Sequence, residues 1–121
     1  MVSDAFGDNF SRSEFACKCG CGFDTVDVEL INALRDLRVA IGGKPITITS
    51  GCRCESHNKA VGGAPNSQHL YARAADIYSS ETTPSDILEK LEELFPNKYG
   101  IGIYSGWVHI DTRNEKARWG Q

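Results

Sequence analysis

The sequence has no apolar run approaching the roughly 20 residues that a membrane-spanning helix needs. A bilayer is therefore not among its expected partners. It has no excess of positive charge either: 13 Lys and Arg stand against 16 Asp and Glu, a formal net charge of -3. A general basic face of the kind that grips nucleic-acid backbones is not expected. The opening stretch, MVSDAFGDNFSRSEF, lacks the positive and apolar regions of a secretory leader. Synthesis in the reducing cytoplasm is expected, and any target outside the cell would need a separate release step. Internal repeats and low-complexity linkers are missing as well. Histidine is scarce, with three in 121 residues.

What is present fits one small domain that acts as a monomer. A length of 121 residues with 40% hydrophobic and 24% charged content supports one modest core. Ser11 and Glu14 stand in capping-box spacing, so a short helical turn is expected there. From Val26 the apolar residues recur at helical spacing through Val28, Leu30, Ile31, Leu34, Leu37, Val39 and Ile41. Asp24, Thr25 and Asp27 offer N-caps, and Gly42-Gly43 ends the helix. Ile46 and Ile48 alternate with Thr47 and Thr49, as in a strand. A long Gly-rich loop follows, with a short helix expected near Ser56 to Val61, and long loops in compact domains are usually functional.

A second strand is expected over Ala74 to Tyr78. The clearest helix follows, with Thr83 as N-cap, Pro84 at its first position and the stripe Ile87, Leu88, Leu91, Leu94, Phe95. GIGIYSG and WVHIDTR then read as a hairpin about Ser105-Gly106. The expected fold class is α+β: a mainly antiparallel sheet packed with two main helices. The core is expected over about residues 9–113, with a polar, loop-like tail over 114–121 and Trp119 tucked back.

The chemistry-bearing residues cluster in two stretches, NSQHLYARAAD and WVHID. His69, Asp76 and His109 are residue types that bind zinc, and a catalytic site supplies three such ligands and leaves a fourth position open. His109 and Asp111 share one face of an alternating strand. Asp76 follows Ala74 and Ala75, where a carboxylate needs a partner. Spacing alone does not separate a metal site from ordinary hydrogen-bonded residues.

Taken together, S-G-x-R, H-N-x-x-V-G-G, S-x-H-x6-D and V-H-x-D resemble the zinc D-Ala-D-Ala carboxypeptidase family over roughly residues 9 to 113. That group of peptidoglycan peptidases includes phage endolysins and shares its core with the Hedgehog signalling domain. The resemblance implies one catalytic zinc on His69, Asp76 and His109, a peptidoglycan stem peptide as substrate, and either carboxypeptidase or endopeptidase activity. It implies that Arg53 binds a substrate carbonyl or carboxylate and steadies the oxyanion. Ser67, with Gln68, is expected to shape the substrate-facing loop that presents His69. Many members carry an acid three positions before the last zinc histidine; here that position is Gly106. Asp111 is the expected replacement as general base, with an orienting role for a metal ligand as the alternative. A lesser alternative makes Asp111 a ligand and His109 the acid/base. A phage endolysin released by a holin is the expected setting. A zinc-binding structural module without catalysis is the rival reading.

Two features remain outside that pattern. Cys17, Cys19, Cys21, Cys52 and Cys54 invite a second, structural zinc, with buried thiols or an inter-loop disulfide as the ordinary readings. His57, beside them, is read as a hydrogen-bonding loop residue. Tyr71, Tyr104, Trp107 and Trp119 could line a groove but are read as core aromatics.

Overall fold

The computed structural model describes residues 12–22, 26–63 and 67–120. Two helices, α1 (Arg12–Phe15) and α2 (Val28–Ala40), precede β1 (Thr47–Ser50), and α3 (Glu55–Ala60) comes after it. A 3-10 turn (Gln68–Tyr71), β2 (Ala74–Tyr78), α4 (Pro84–Leu94), β3 (Gly100–Ile103), β4 (Val108–Asp111) and β5 (Ala117–Trp119) follow. The sheet order is β1-β2-β4-β3-β5. All neighbours are antiparallel except β3 and β5, which run parallel. This is the expected α+β class.

Local chemistry accounts for the element ends. Asp27 caps α2 by accepting from the Glu29 N–H, and Thr83 caps α4 with Pro84 behind it. The other expected caps of α2, Asp24 and Thr25, lie outside the described residues, as does Ser11 of the capping box. The stripe of α2 is narrower than its apolar content suggests. Leu30, Ile31, Leu34 and Leu37 are buried, but Val28 and Val39 are exposed. In α4, Ile87 and Leu91 are fully buried while Leu94 stays on the surface.

The period-2 alternation of the strands divides the sheet into two faces. Ala75, Ile77, Ile101, Val108 and Ile110 face α2 and α4 and join their side chains in one core. Asp76, His109 and Asp111 occupy the opposite face. Asp76 pairs directly with His109 across β2 and β4. On the far side of β4, Gly102 lies opposite His109 and Gly100 opposite Asp111. A Cβ at Gly102 would sit 2.1 Å from Trp119 Nε1, and one at Gly100 would sit 2.5–2.6 Å from the Arg113 and Asp111 side chains. The two glycines therefore leave β3 flat where those side chains lie across it.

The tail differs from its expected loop. Residues 117–119 form β5, and Arg118 explains why. Its guanidinium pairs with Glu92 and donates to the carbonyls of Phe95, Lys98 and Tyr99 beyond the end of α4. Those carbonyls have no helical partner, so a cation with several donors suits them. This local device leaves no hydrophobic period in the sequence. Among the described residues, no helix is long and apolar enough to cross a membrane.

Candidate active site

His69, Asp76 and His109 come from three separate elements. The 3-10 turn presents His69; Ser67 caps that turn by accepting from the His69 N–H at 3.2 Å. Gln68 accepts from Arg73 and ties the turn to the start of β2. Asp76 and His109 are the cross-strand pair of β2 and β4. Their ligand atoms all lie within 4.8 Å of one another. Asp76 Oδ2 is 3.4 Å from His69 Nε2, and Asp76 Oδ1 is 3.0 Å from His109 Nδ1. Four donors at about 2.1 Å from a tetrahedral zinc lie about 3.4 Å apart, so the spacing fits.

Hydrogen bonds fix which imidazole nitrogen faces the site. His69 Nδ1 is 2.6 Å from the Gly51 carbonyl oxygen, which can only accept, so Nδ1 carries the proton and Nε2 is the donor atom. His109 Nε2 donates to Asp111 Oδ2 at 2.7 Å, which turns Nδ1 toward Asp76. One histidine therefore offers Nε2 and the other Nδ1.

Asp111 is fully buried and does not reach the cavity. Besides His109 Nε2 it holds Arg113, which donates to Oδ1 at 2.8 Å and to Oδ2 at 2.8 Å. Burial works against its charge, but Arg113 and His109 outweigh burial and hold the carboxyl well below the usual carboxylate range. A carboxylate so occupied is poorly suited to take a proton from water. This geometry favours the orienting alternative over the expected base role for Asp111. It also lies outside the group of converging ligand atoms, against the lesser alternative.

Asp76 is likewise held well below the usual carboxylate range, since both histidines outweigh the cost of its burial. Burial disfavours the charge of His109, but Asp111 and Asp76 outweigh it and raise its pKa. Where His109 is protonated both of its nitrogens donate, and a metal on Nδ1 must displace one proton. Zinc uptake is therefore expected to be accompanied by proton release from His109, greater as pH falls. The buffer dependence of the calorimetric binding enthalpy measures it. The sign for stability is opposite: the raised pKa stabilises the metal-free fold below the unfolded value of about 6.5. That contribution is lost as pH rises through the folded value.

A cavity of about 750 Å³ opens over these ligands. Arg53 reaches it from the loop after β1. Its guanidinium donates to Ser50 at 3.1 Å, Asn58 at 3.2 Å and Asp76 Oδ2 at 3.3 Å. The main chain of Arg53 is pinned too, its N–H donating to the His69 carbonyl at 2.9 Å. Ser67 and Gln68 also line the cavity.

Tyr104, Trp107 and Trp119 correct the reading of these aromatics as core. All three line the cavity. Tyr104 and Trp107 flank the hairpin turn and stack with centroids 4.7 Å apart. Trp119 lies 5.2 Å from the His109 ring, and its Nε1 donates to the Tyr104 hydroxyl. Tyr71 is exposed on a separate surface pocket beside Arg73. Arg113 and the Gly51 carbonyl were not legible as site parts, although Arg113 stands two residues beyond Asp111. His57 stays out of the metal-binding group, and its N–H donates to Cys54 Sγ. Four cysteines converge elsewhere, namely Cys17, Cys19, Cys21 and Cys54. Cys52, expected with them, is buried outside that group.

Comparison with known proteins agrees with this geometry. Residues 8–111 match the model of the family described as Peptidase M15. The chain is also similar to a protein of Streptomyces albus G named zinc D-Ala-D-Ala carboxypeptidase, with 50% identity over 44 residues. That segment covers 36% of this chain and 17% of the relative. The family match runs from ahead of α1 to the last residue of β4 and so takes in His69, Asp76 and His109: this chain belongs to the peptidase M15 family.

Proposed function

We propose that the chain is a zinc-dependent peptidase that hydrolyses the peptide stems of bacterial peptidoglycan. The observation that carries this reading is the convergence of His69, Asp76 and His109 under a cavity that also receives Arg53. The name of the Streptomyces relative supports the substrate class, and a D-Ala-D-Ala terminus is the proposed point of attack. Bound by these ligands, zinc supplies Lewis-acid polarisation of the scissile carbonyl and makes a water acidic enough to attack near neutral pH.

The remaining work belongs to the side chains. The Arg53 fork, held by Ser50 and Asn58, faces the site to receive a carboxylate or the developing oxyanion. Asp111 acts through His109, fixing its tautomer and ring orientation. The Tyr104–Trp107 stack offers a flat wall for the apolar side of a stem peptide. Hydrolysis of a soluble peptide ending in D-Ala-D-Ala tests this reading. Release of one D-Ala marks a carboxypeptidase, and cleavage within the peptide an endopeptidase. No cleavage of either kind by the zinc-loaded chain would remove the reading.

One observation favours a second reading, a zinc-binding module without catalysis. Among the described residues, Asp76 is the only carboxylate that lines the cavity, and it is a proposed ligand. Gly106 occupies the position where the resemblance calls for an acid. A module of this kind would bind zinc through the same three side chains and leave every stem peptide intact.

A further inference from the structure

The peptidase site uses none of the five cysteines, yet four of them meet. Cys17 Sγ lies 3.5 Å from Cys19 Sγ and 3.8 Å from Cys54 Sγ, and the last two are 3.6 Å apart. Cys21 completes a group whose sulfurs all lie within 4.8 Å of one another. None of these three separations is near the roughly 2.05 Å of a disulfide. They match another figure. Four thiolates held at about 2.3 Å around a tetrahedral zinc lie about 3.8 Å from each other.

We propose that Cys17, Cys19, Cys21 and Cys54 hold a second zinc ion, structural and closed, with four thiolates and no open position. The obstacle is the spacing, because C-x-C-x-C leaves one residue between ligands where two to four are usual. The backbone removes it. The Gly20 N–H turns back to the Cys17 carbonyl at 3.3 Å. Gly20 and Gly22 adopt φ of +81° and +92°, a conformation that L side chains rarely take. A Cβ at Gly20 would meet nothing within 4 Å, so glycine is needed there for its conformation and not for space. Gly20, between Cys19 and Cys21, turns the loop where its sulfurs gather with that of Cys54, and Gly22 turns the chain directly after them.

The sulfurs also receive main-chain donors, as metal-bound thiolates do. The Cys54 N–H donates to Cys17 Sγ at 3.4 Å, and the His57 N–H to Cys54 Sγ at 3.4 Å. Each ligand must lose its thiol proton when the metal binds. Cys52 is not part of the converging group and is buried against Cys17 and Ala72. Closing the site would clamp residues 17–21 to the segment that carries Arg53, one residue before Cys54. The metal site itself does not depend on the peptidase reading, since these sulfurs would bind zinc equally in an inactive protein.

Metal content of the full chain, purified under reducing conditions and loaded with zinc, tests this. The wild type is expected to hold two zinc ions per chain, and His69→Ala one. The double variant Cys19→Ser/Cys21→Ser, both positions being exposed, is expected to hold one, and Cys52→Ala two. Loaded with cobalt(II), His69→Ala is expected to keep thiolate-to-metal charge-transfer absorption, and the double cysteine variant to lose it. One zinc per wild-type chain, absent from His69→Ala, would overturn the proposal. So would two zinc ions in the double cysteine variant, or cobalt absorption without thiolate character in His69→Ala.

Discussion

Asp111→Asn is expected to weaken zinc binding by roughly 10- to 100-fold and to destabilise the metal-free fold by about 3 kcal/mol. The substitution keeps shape and removes charge. His109 then loses the acceptor's negative charge, which raises its basicity, and Arg113 loses both of its charge-assisted bonds at a site where Asp111 is fully buried. Competition with a chelator measures the affinity, and urea unfolding of the metal-free protein measures the stability. The same variant separates the two roles for this carboxylate. An orienting group is rescued in large part by saturating zinc, because its effect runs through the ligand. A general base is not: zinc would bind as in the wild type, and kcat would stay low at any zinc concentration.

Arg53→Ala is expected to lower kcat/KM by roughly 10²- to 10³-fold while the catalytic zinc remains bound. The guanidinium is aimed by Ser50, Asn58 and the Asp76 carboxylate, so under the proposed function it would meet the substrate already oriented. Arg53→Lys keeps the positive charge and loses the fork, and is expected to recover only a small part of the rate. Steady-state kinetics on a soluble stem peptide, with zinc content measured alongside, checks both variants. Loss of the zinc in Arg53→Ala would assign Arg53 to holding Asp76 in place instead of to the substrate.

Much of the frame was legible because it rests on periodicity and on end signals. The alternation of Val108, His109, Ile110 and Asp111 marks a strand with one apolar and one polar face. The Thr83-Pro84 start and the Ile87-Leu91 spacing mark α4. The three ligands were legible as residue types at a recognisable spacing. Their convergence was implied by the family resemblance alone, since it depends on the direct pairing of Asp76 with His109 and on a short 3-10 turn with no periodic signal of its own.

The misreadings have a common cause. Trp119 and Arg118 form a strand because Arg118 binds carbonyls contributed by residues about 20 positions away, and no local pattern encodes that. Strand alternation places Asp111 beside His109 and so suggests a base. The alternation cannot show that Arg113, two residues further on, folds back onto its carboxylate. Cys52 and Cys54 looked equivalent in the sequence, but only Cys54 joins the converging group.

The most direct test is the release of peptide from purified peptidoglycan by the zinc-loaded chain, run beside His69→Ala, with products identified by mass. Cleavage of the stem by the wild type, lost in His69→Ala, is the expected result. Intact peptidoglycan from several wall types, with zinc bound at His69, Asp76 and His109, would contradict the peptidase and leave the non-catalytic zinc module.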